Sequence, residues 1–339
     1  MSSDAAPIFV TGGTGFIGTR LVQTLIGQEY RVRVLTRRGP ETADTSWLSH
    51  ERIELVHGDI TDVGSLIRGM QGCDRVLHLA AYAKNWAPSR DIYNQINVEG
   101  MRNVFAAAEQ VGVRRVVWTS TIMTLGPSTP GKVGDERMPR SSNEFLTGYE
   151  ESKWLAEQEA FRWTDRGFPV VIVNPTRVYG PGPLTEGNAL AKLIDDYNRG
   201  RVPILFNRGV NVGNYVLVDD VVQGHLLALE KGRVGERYIL GGTNVSLRDF
   251  FRAIDGVTGR THWQIPTFKF GPLLLSHLME LRARWFGAYP LITPGWVRTF
   301  ATDWAFSSDK AIEELGYRPT PLKDGLKLTC QWLQQMHGK

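Results

Sequence analysis

The chain has 339 residues, 42% of them hydrophobic and 22% charged, with a formal net charge of +4. That is ordinary globular composition, enough for one large domain or two lobes around a sizeable core, and without a dense Lys/Arg tract it does not imply nucleic acid. Cys73 and Cys330 are the only cysteines, which excludes a disulfide framework or a cysteine metal cluster, and no apolar run reaches the ~18 residues of a membrane span.

The first predicted strand, Ile8–Val10, leads into Thr11-Gly-Gly-Thr-Gly-Phe-Ile-Gly18 and then a helical pattern over Phe16–Gln28. Glycine permits a tight turn, lets main chain approach a pyrophosphate, and is followed here by the free N–H groups of a helix start. The string reads both as Gly13-x-Gly15-x-x-Gly18, the dinucleotide fingerprint, and as Gly12-x-x-Gly15-x-x-Gly18. It begins so near the N-terminus that no room for a signal peptide is expected, and with the cysteine usage this points to a reducing, cytoplasmic compartment.

Further strands are predicted at Val32–Thr36, Ile53–Val56, Arg75–Leu79, Arg115–Thr119 and Val170–Asn174. Helical patterns separate them near Asp62–Met70, Asn94–Val111 and Tyr149–Arg166. Alternating strands and helices mean a parallel, doubly wound α/β sheet, and apolar runs such as Val170-Val-Ile-Val173 suit strands covered on both faces. After Pro175 the rhythm breaks at Val178-Tyr-Gly-Pro-Gly-Pro183, followed by a helix over Asn188–Arg199, a strand at Tyr215–Val218 and a helix over Asp219–Lys231. From Ser246 the chain reads as mostly helical. The expected division is a Rossmann domain of residues 1–177 plus about 213–243, and a smaller, mostly helical substrate lobe of about 178–212 plus 244–339.

Three stretches speak to chemistry. The second strand ends in Thr36-Arg37-Arg38, where an acid would bind the ribose hydroxyls of NAD and arginine suits a 2′-phosphate. NADP(H) is therefore expected, with NAD(H) possible; the other reading of Arg37 is a solvated basic corner. Tyr149 and Lys153 in Tyr-Glu-Glu-Ser-Lys lie four apart at a helix start and share a face. A neighbouring cation favours the phenolate, and bringing a phenol from ~10 to near 7 corresponds to roughly 4 kcal/mol. That would poise Tyr149 as a general acid/base. Thr119, Ser120 and Thr121 supply hydroxyls at the end of the fifth strand, whose other reading is local bonding to backbone.

Thr11–Gly18, Tyr149-x-x-x-Lys153, Asn174-Pro-Thr-Arg-Val-Tyr-Gly-Pro-Gly182, Val216-Leu-Val-Asp-Asp220 and Phe306-Ser-Ser-Asp-Lys310 together resemble the extended short-chain dehydrogenases/reductases over essentially the whole chain. The resemblance implies a cofactor site of Gly12, Thr14, Gly15, Phe16, Ile17, Arg37, Asp59, Ile60, Leu79, Ala80, Ala81, Asn97, Thr119, Tyr149, Lys153, Pro175, Arg177 and Val178. It implies Thr121 as the catalytic hydroxyl, with Ser120 as the alternative, and a homodimer through the helices at Asn94–Val111 and Tyr149–Arg166.

Within that superfamily, Ser120-Thr-Ile-Met-Thr-Leu-Gly-Pro127 resembles the hydroxysteroid dehydrogenase and dihydroflavonol reductase loop. Arg177 stands where nucleotide-sugar enzymes carry a phosphate-binding asparagine, and Ile122-Met123 where sugar dehydratases carry an acidic pair. The expected function is hydride transfer between a nicotinamide and a ketone or secondary alcohol of a hydrophobic small molecule. The alternative is a nucleotide-sugar epimerase or dehydratase, since Arg177 can also meet a phosphate. A non-catalytic nucleotide sensor is disfavoured by the presence of both Tyr149 and Lys153. The apolar residues Leu273, Leu274, Leu275, Leu278, Met279, Trp285, Phe286 and Trp296 are expected either to cap such a substrate or to form the small lobe's core. His78 and His225 are read as structural, with no metal-ligand spacing around them.

Overall fold

The computed structural model describes residues 6–37, 43–142, 144–202, 204–268, 270–286, 289–290 and 292–338, so Arg38 lies outside the described residues. The first half alternates β1 (Ile8–Thr11), α1 (Phe16–Gly27), β2 (Val32–Thr36), β3 (Ile53–His57), α2 (Val63–Met70) and β4 (Arg75–His78). A short α3 (Asp91–Tyr93) runs through a π-helical segment, Asn94–Glu99, into α4 (Gly100–Val111). Then come β5 (Arg115–Thr119), α5 (Gly148–Asp165) and β6 (Val170–Pro175). The second half holds β7 (Arg177–Tyr179), α6 (Ala189–Asn198), β8 (Ile204–Leu205), β9 (Val212–Leu217), α7 (Val218–Lys231) and β10 (Arg237–Leu240). It ends with β11 (Thr243–Ser246), α8 (Leu247–Thr258), β12 (Ile265–Pro266), α9 (Phe270–Phe286), α10 (Pro294–Phe300), α11 (Asp309–Leu315) and α12 (Leu322–His337).

Seven parallel strands form the central sheet in the order β10-β6-β5-β4-β1-β2-β3. The strand order reverses between β1 and β4, and the crevice outside their carboxyl ends is where such sheets bind ligands. Successive residues of one strand serve opposite cores: Ile8 and Val10 face one and Phe9 the other, and Val171 and Val173 oppose Val170 and Ile172. The seventh strand, β10, extends the six anticipated from apolar runs. It pairs with β6, setting Ile239 opposite Asn174. Three-stranded β11-β9-β7 and two-stranded β12-β8 lie outside this sheet.

In the Phe268–Phe300 region the expectation of a small-lobe core holds only in part. α9 buries the small residues Pro272, Ser276 and Ala283 and turns Leu274, Leu275, Leu278 and Trp285 to solvent. Trp296 packs against Phe206 and Phe300, and Leu273 and Met279 are likewise half-buried; the side chain of Phe286 lies outside the described residues.

Candidate active site

The glycine loop joins β1 to α1 at the reversal point. Its base is pinned by polar contacts: the amides of Leu79 and Ala80 donate to the carbonyl (3.1 Å) and hydroxyl (3.2 Å) of Thr11, and that hydroxyl lies 2.6 Å from Nδ1 of His78. Burial pushes His78 down to about 3, so it is a neutral structural partner. Gly12 has φ +72°, and a Cβ there would lie 2.6 Å from the Ala80 nitrogen. A Cβ on Gly18 would meet the Gly12 carbonyl oxygen at 2.0 Å. Gly15, by contrast, is exposed and caps α1 with no side-chain hydrogen bond, and the first turn carries no acid.

An uncapped helix start with free N–H groups and no competing carboxylate, reached over glycines that admit close approach, fits a dinucleotide pyrophosphate. Gly18→Ala should therefore abolish measurable NAD(P)H binding in a fluorescence titration, because the loop carbonyl and α1 cannot both keep their places. Thr14 is exposed beside Gly15; Ile17 is half-buried against the core, and the Phe16 ring turns away to pack where a Cβ on Gly182 would touch it at 2.9 Å.

Around this loop stand the other expected cofactor residues. The Arg37 side chain is 78% exposed at the end of β2, with Nε 3.8 Å from the Asp59 carboxylate. Ile60 is buried against Gly100, which has no room for a Cβ. Leu79, Ala80 and Ala81 are half-buried after β4. Asn97 is buried in the π-helical segment: its Oδ1 accepts from the Tyr82 amide at 2.7 Å and its Nδ2 donates to Ser152 at 2.9 Å. It thus ties the chain after β4 to α5. Pro175 ends β6, and Val178 packs on the β-sheet core.

α5 presents Tyr149 and Lys153 from a fixed start. Thr147 caps the helix by accepting from the Glu150 amide (3.0 Å), while Glu150 accepts from the Leu146 amide (2.7 Å) and pairs with Arg140. Arg140 also donates to the carbonyls of Met123 and Thr124 at 3.0 and 3.2 Å. The helix start and the segment after β5 are therefore one unit, which brings the Tyr149 phenol beside the Thr121 hydroxyl.

Ser120 is not available in the same way. Its hydroxyl donates to Glu157, which is fully buried and also accepts from Thr124 (2.9 Å), Asn174 (2.9 Å) and Arg237 (2.9 Å). Thr119 is likewise engaged: its hydroxyl lies 2.8 Å from Nε2 of His225, and its carbonyl accepts from Lys153 Nζ at 2.8 Å. Burial pushes His225 down to about 4, and its Nδ1 lies 2.7 Å from the Val221 carbonyl, so the ring serves as a neutral strut.

The expected pull on the Tyr149 phenol is reversed. Burial pushes it up to about 12, and the neighbouring Thr121 hydroxyl draws it partly back. Lys153, 4.3 Å from the Trp118 ring centre, is pushed down to about 7 by its own burial, with Glu157 opposing. A lysine that gives up its charge near neutrality cannot strongly favour the phenolate, so both displacements run toward the neutral forms.

Arg177 is committed to the protein. It donates to the Tyr215 hydroxyl (3.3 Å) and the Thr299 carbonyl (3.2 Å), with its guanidinium 4.4 Å from the Phe300 ring centre. Beside the start of α5 lies a cleft of about 480 Å³ whose lining mixes Trp86 and Tyr93 with Arg90, His277 and Arg298.

Residues 8–241 match the sequence pattern of the NAD dependent epimerase/dehydratase family. The chain belongs to that family. It is an NAD(P)-dependent enzyme of the extended short-chain dehydrogenase/reductase type. It is 33% identical to a putative dihydroflavonol 4-reductase of Synechocystis sp., covering 97% of this chain and 95% of that protein. It is 29% identical to sterol demethylase protein B of Methylococcus capsulatus, covering 96% and 98%. The crystal structure of gox2253 superposes with a TM-score of 0.82 at 34% identity, covering 98% and 99%.

Proposed function

We propose that this family member is an NADP(H)-dependent oxidoreductase that interconverts a ketone and a secondary alcohol on a hydrophobic small molecule. The feature that carries the reading is the half-buried Tyr149 phenol at the start of α5, one helical turn from the buried Lys153 that donates to the Thr119 carbonyl beside Thr121. A bound nicotinamide supplies hydride for reduction or accepts it in oxidation. Tyr149 gives its proton to the carbonyl oxygen as negative charge develops there, and the Thr121 hydroxyl holds that oxygen in place. Lys153 holds the ribose side of the cofactor and sets the field around Tyr149.

Arg37, exposed and only loosely paired, is the candidate for a 2′-phosphate. The likeness to a putative dihydroflavonol 4-reductase and to sterol demethylase protein B supports an apolar ring-bearing substrate. The engagement of Arg177 with Thr299 and Tyr215 weighs against a sugar-nucleotide phosphate at that position. A homodimer through the outer faces of α4 and α5, where Leu155 is exposed, belongs to the same reading.

A panel assay following NADPH absorbance tests it, comparing hydrophobic ketones with nucleotide sugars. Turnover is expected with the ketones; turnover confined to nucleotide sugars would sink the proposal. Arg37→Ser should raise KM for NADPH by about 10-fold or more and leave KM for NADH nearly unchanged, as expected for a lost charge-assisted phosphate contact.

A further inference from the structure

We propose that α9 is a peripheral docking surface for an anionic lipid bilayer. The helix is inverted relative to a globular-protein helix: its small residues face inward, and Leu274, Leu278, Leu281 and Trp285 stand exposed. These four recur at i, i+4, i+7 and i+11, which makes one continuous apolar stripe. Trp263 and Phe268, in the lead-in to the helix, are exposed as well. There the stripe meets an almost wholly apolar cleft of about 680 Å³, lined by Phe206, Pro272, Leu275 and Ile292 among others.

Charge selects the occupant. Arg282 stands exposed on α9, and the sequence of the helix with its lead-in, Trp263–Phe286, holds Lys269, Arg282 and Arg284 against the single acid Glu280. Apolar and aromatic side chains beside arginine match the interface of an anionic bilayer, where each basic residue near the surface adds attraction. Pairing this face with a second copy would instead bring like charges together. At 17 residues α9 is short for a span, and among the described residues no helix is long and apolar enough to cross a membrane. The helix would therefore lie in the interface plane.

The test is co-sedimentation of the full chain with vesicles of phosphatidylcholine and phosphatidylglycerol at about 3:1, and with phosphatidylcholine alone. Binding is expected to the anionic vesicles and to weaken with salt. Leu278→Glu/Trp285→Glu should bind at least about 10-fold more weakly, since losing even one buried large side chain from the interface is worth about that factor. Its melting temperature and NADPH titration should match wild type.

A nitroxide on Leu281→Cys, which leaves the rest of the stripe intact, should become shielded from a water-soluble relaxant on anionic vesicles. Absence of wild-type binding, binding unchanged in the double variant, or a nitroxide that stays fully accessible would each overturn the proposal. A wild type that ignores vesicles but has twice the mass of the double variant by light scattering would make the face a contact between copies instead.

Discussion

Tyr149→Phe is expected to lower kcat for ketone reduction by about 10²- to 10⁴-fold, the range for removing a positioned general acid, with NADPH affinity unchanged within about 2-fold. The substitution deletes one oxygen and leaves the ring, so the Thr147–Glu150 cap and the Arg140 contacts that fix the helix start remain. Steady-state kinetics beside a fluorescence titration separate the two quantities. Wild-type turnover in the variant would remove Tyr149 from the chemistry.

The direction of the phenol's displacement gives the reaction a pH signature. With Tyr149 pushed up to about 12, the acid needed for reduction is fully protonated across the neutral range. Reduction should therefore stay flat in kcat from about pH 6 to 9 as far as this group is concerned, whereas alcohol oxidation, which needs the phenolate, should rise with pH throughout. A fall in the reduction rate near pH 7 would belong to Lys153, pushed down to about 7, and one that persisted in Lys153→Arg would mean that the phenol titrates there, as its spacing from Lys153 first suggested.

That difference marks what could be read along the chain. The glycine loop and the inner strands were legible because their signals are local: a turn only glycine can make, and runs apolar on both faces. The Tyr149–Lys153 spacing was local too, but the states of the two groups depend on how deeply the fold buries them. The membership of β10 rests on pairing between β6 and a strand some sixty residues later, which no local pattern encodes. Glu150 and Glu157 escaped notice because a glutamate on a helix reads as a solvated face. Yet Tyr149, Lys153 and Glu157 follow one another at four-residue spacing, and a carboxylate on the face that carries the chemistry was the available signal. In α9 the period was visible and its direction was not, since apolar residues at helical spacing are ordinarily core.

Glu157→Gln is expected to cost about 3 kcal/mol of stability, because breaking a buried ion pair leaves the remaining charge uncompensated. The charge left behind is Arg237, whose side chain is only 20% exposed and whose Nε otherwise meets a single backbone carbonyl, that of Glu136 at 3.0 Å. The carboxylate also collects Ser120, Thr124 and Asn174, and Asn174 in turn holds the Thr121 carbonyl at 3.0 Å. Loosening that set moves the Thr121 hydroxyl. A displacement near 1 Å is worth about 10²-fold in rate, so kcat should fall while KM for NADPH holds. Removing the negative charge also takes away the influence that raises Lys153, so Lys153 should titrate lower still. Glu157→Gln/Arg237→Gln should regain much of the lost stability, since the orphaned charge goes with its partner, without regaining the rate, because Ser120 and Thr124 still lack their acceptor's charge. Denaturant melts and kinetics on the two variants and wild type separate these effects: stability and rate recovering together would show that Glu157 acts only through Arg237, and a single variant as stable as wild type would show that the pair contributes nothing.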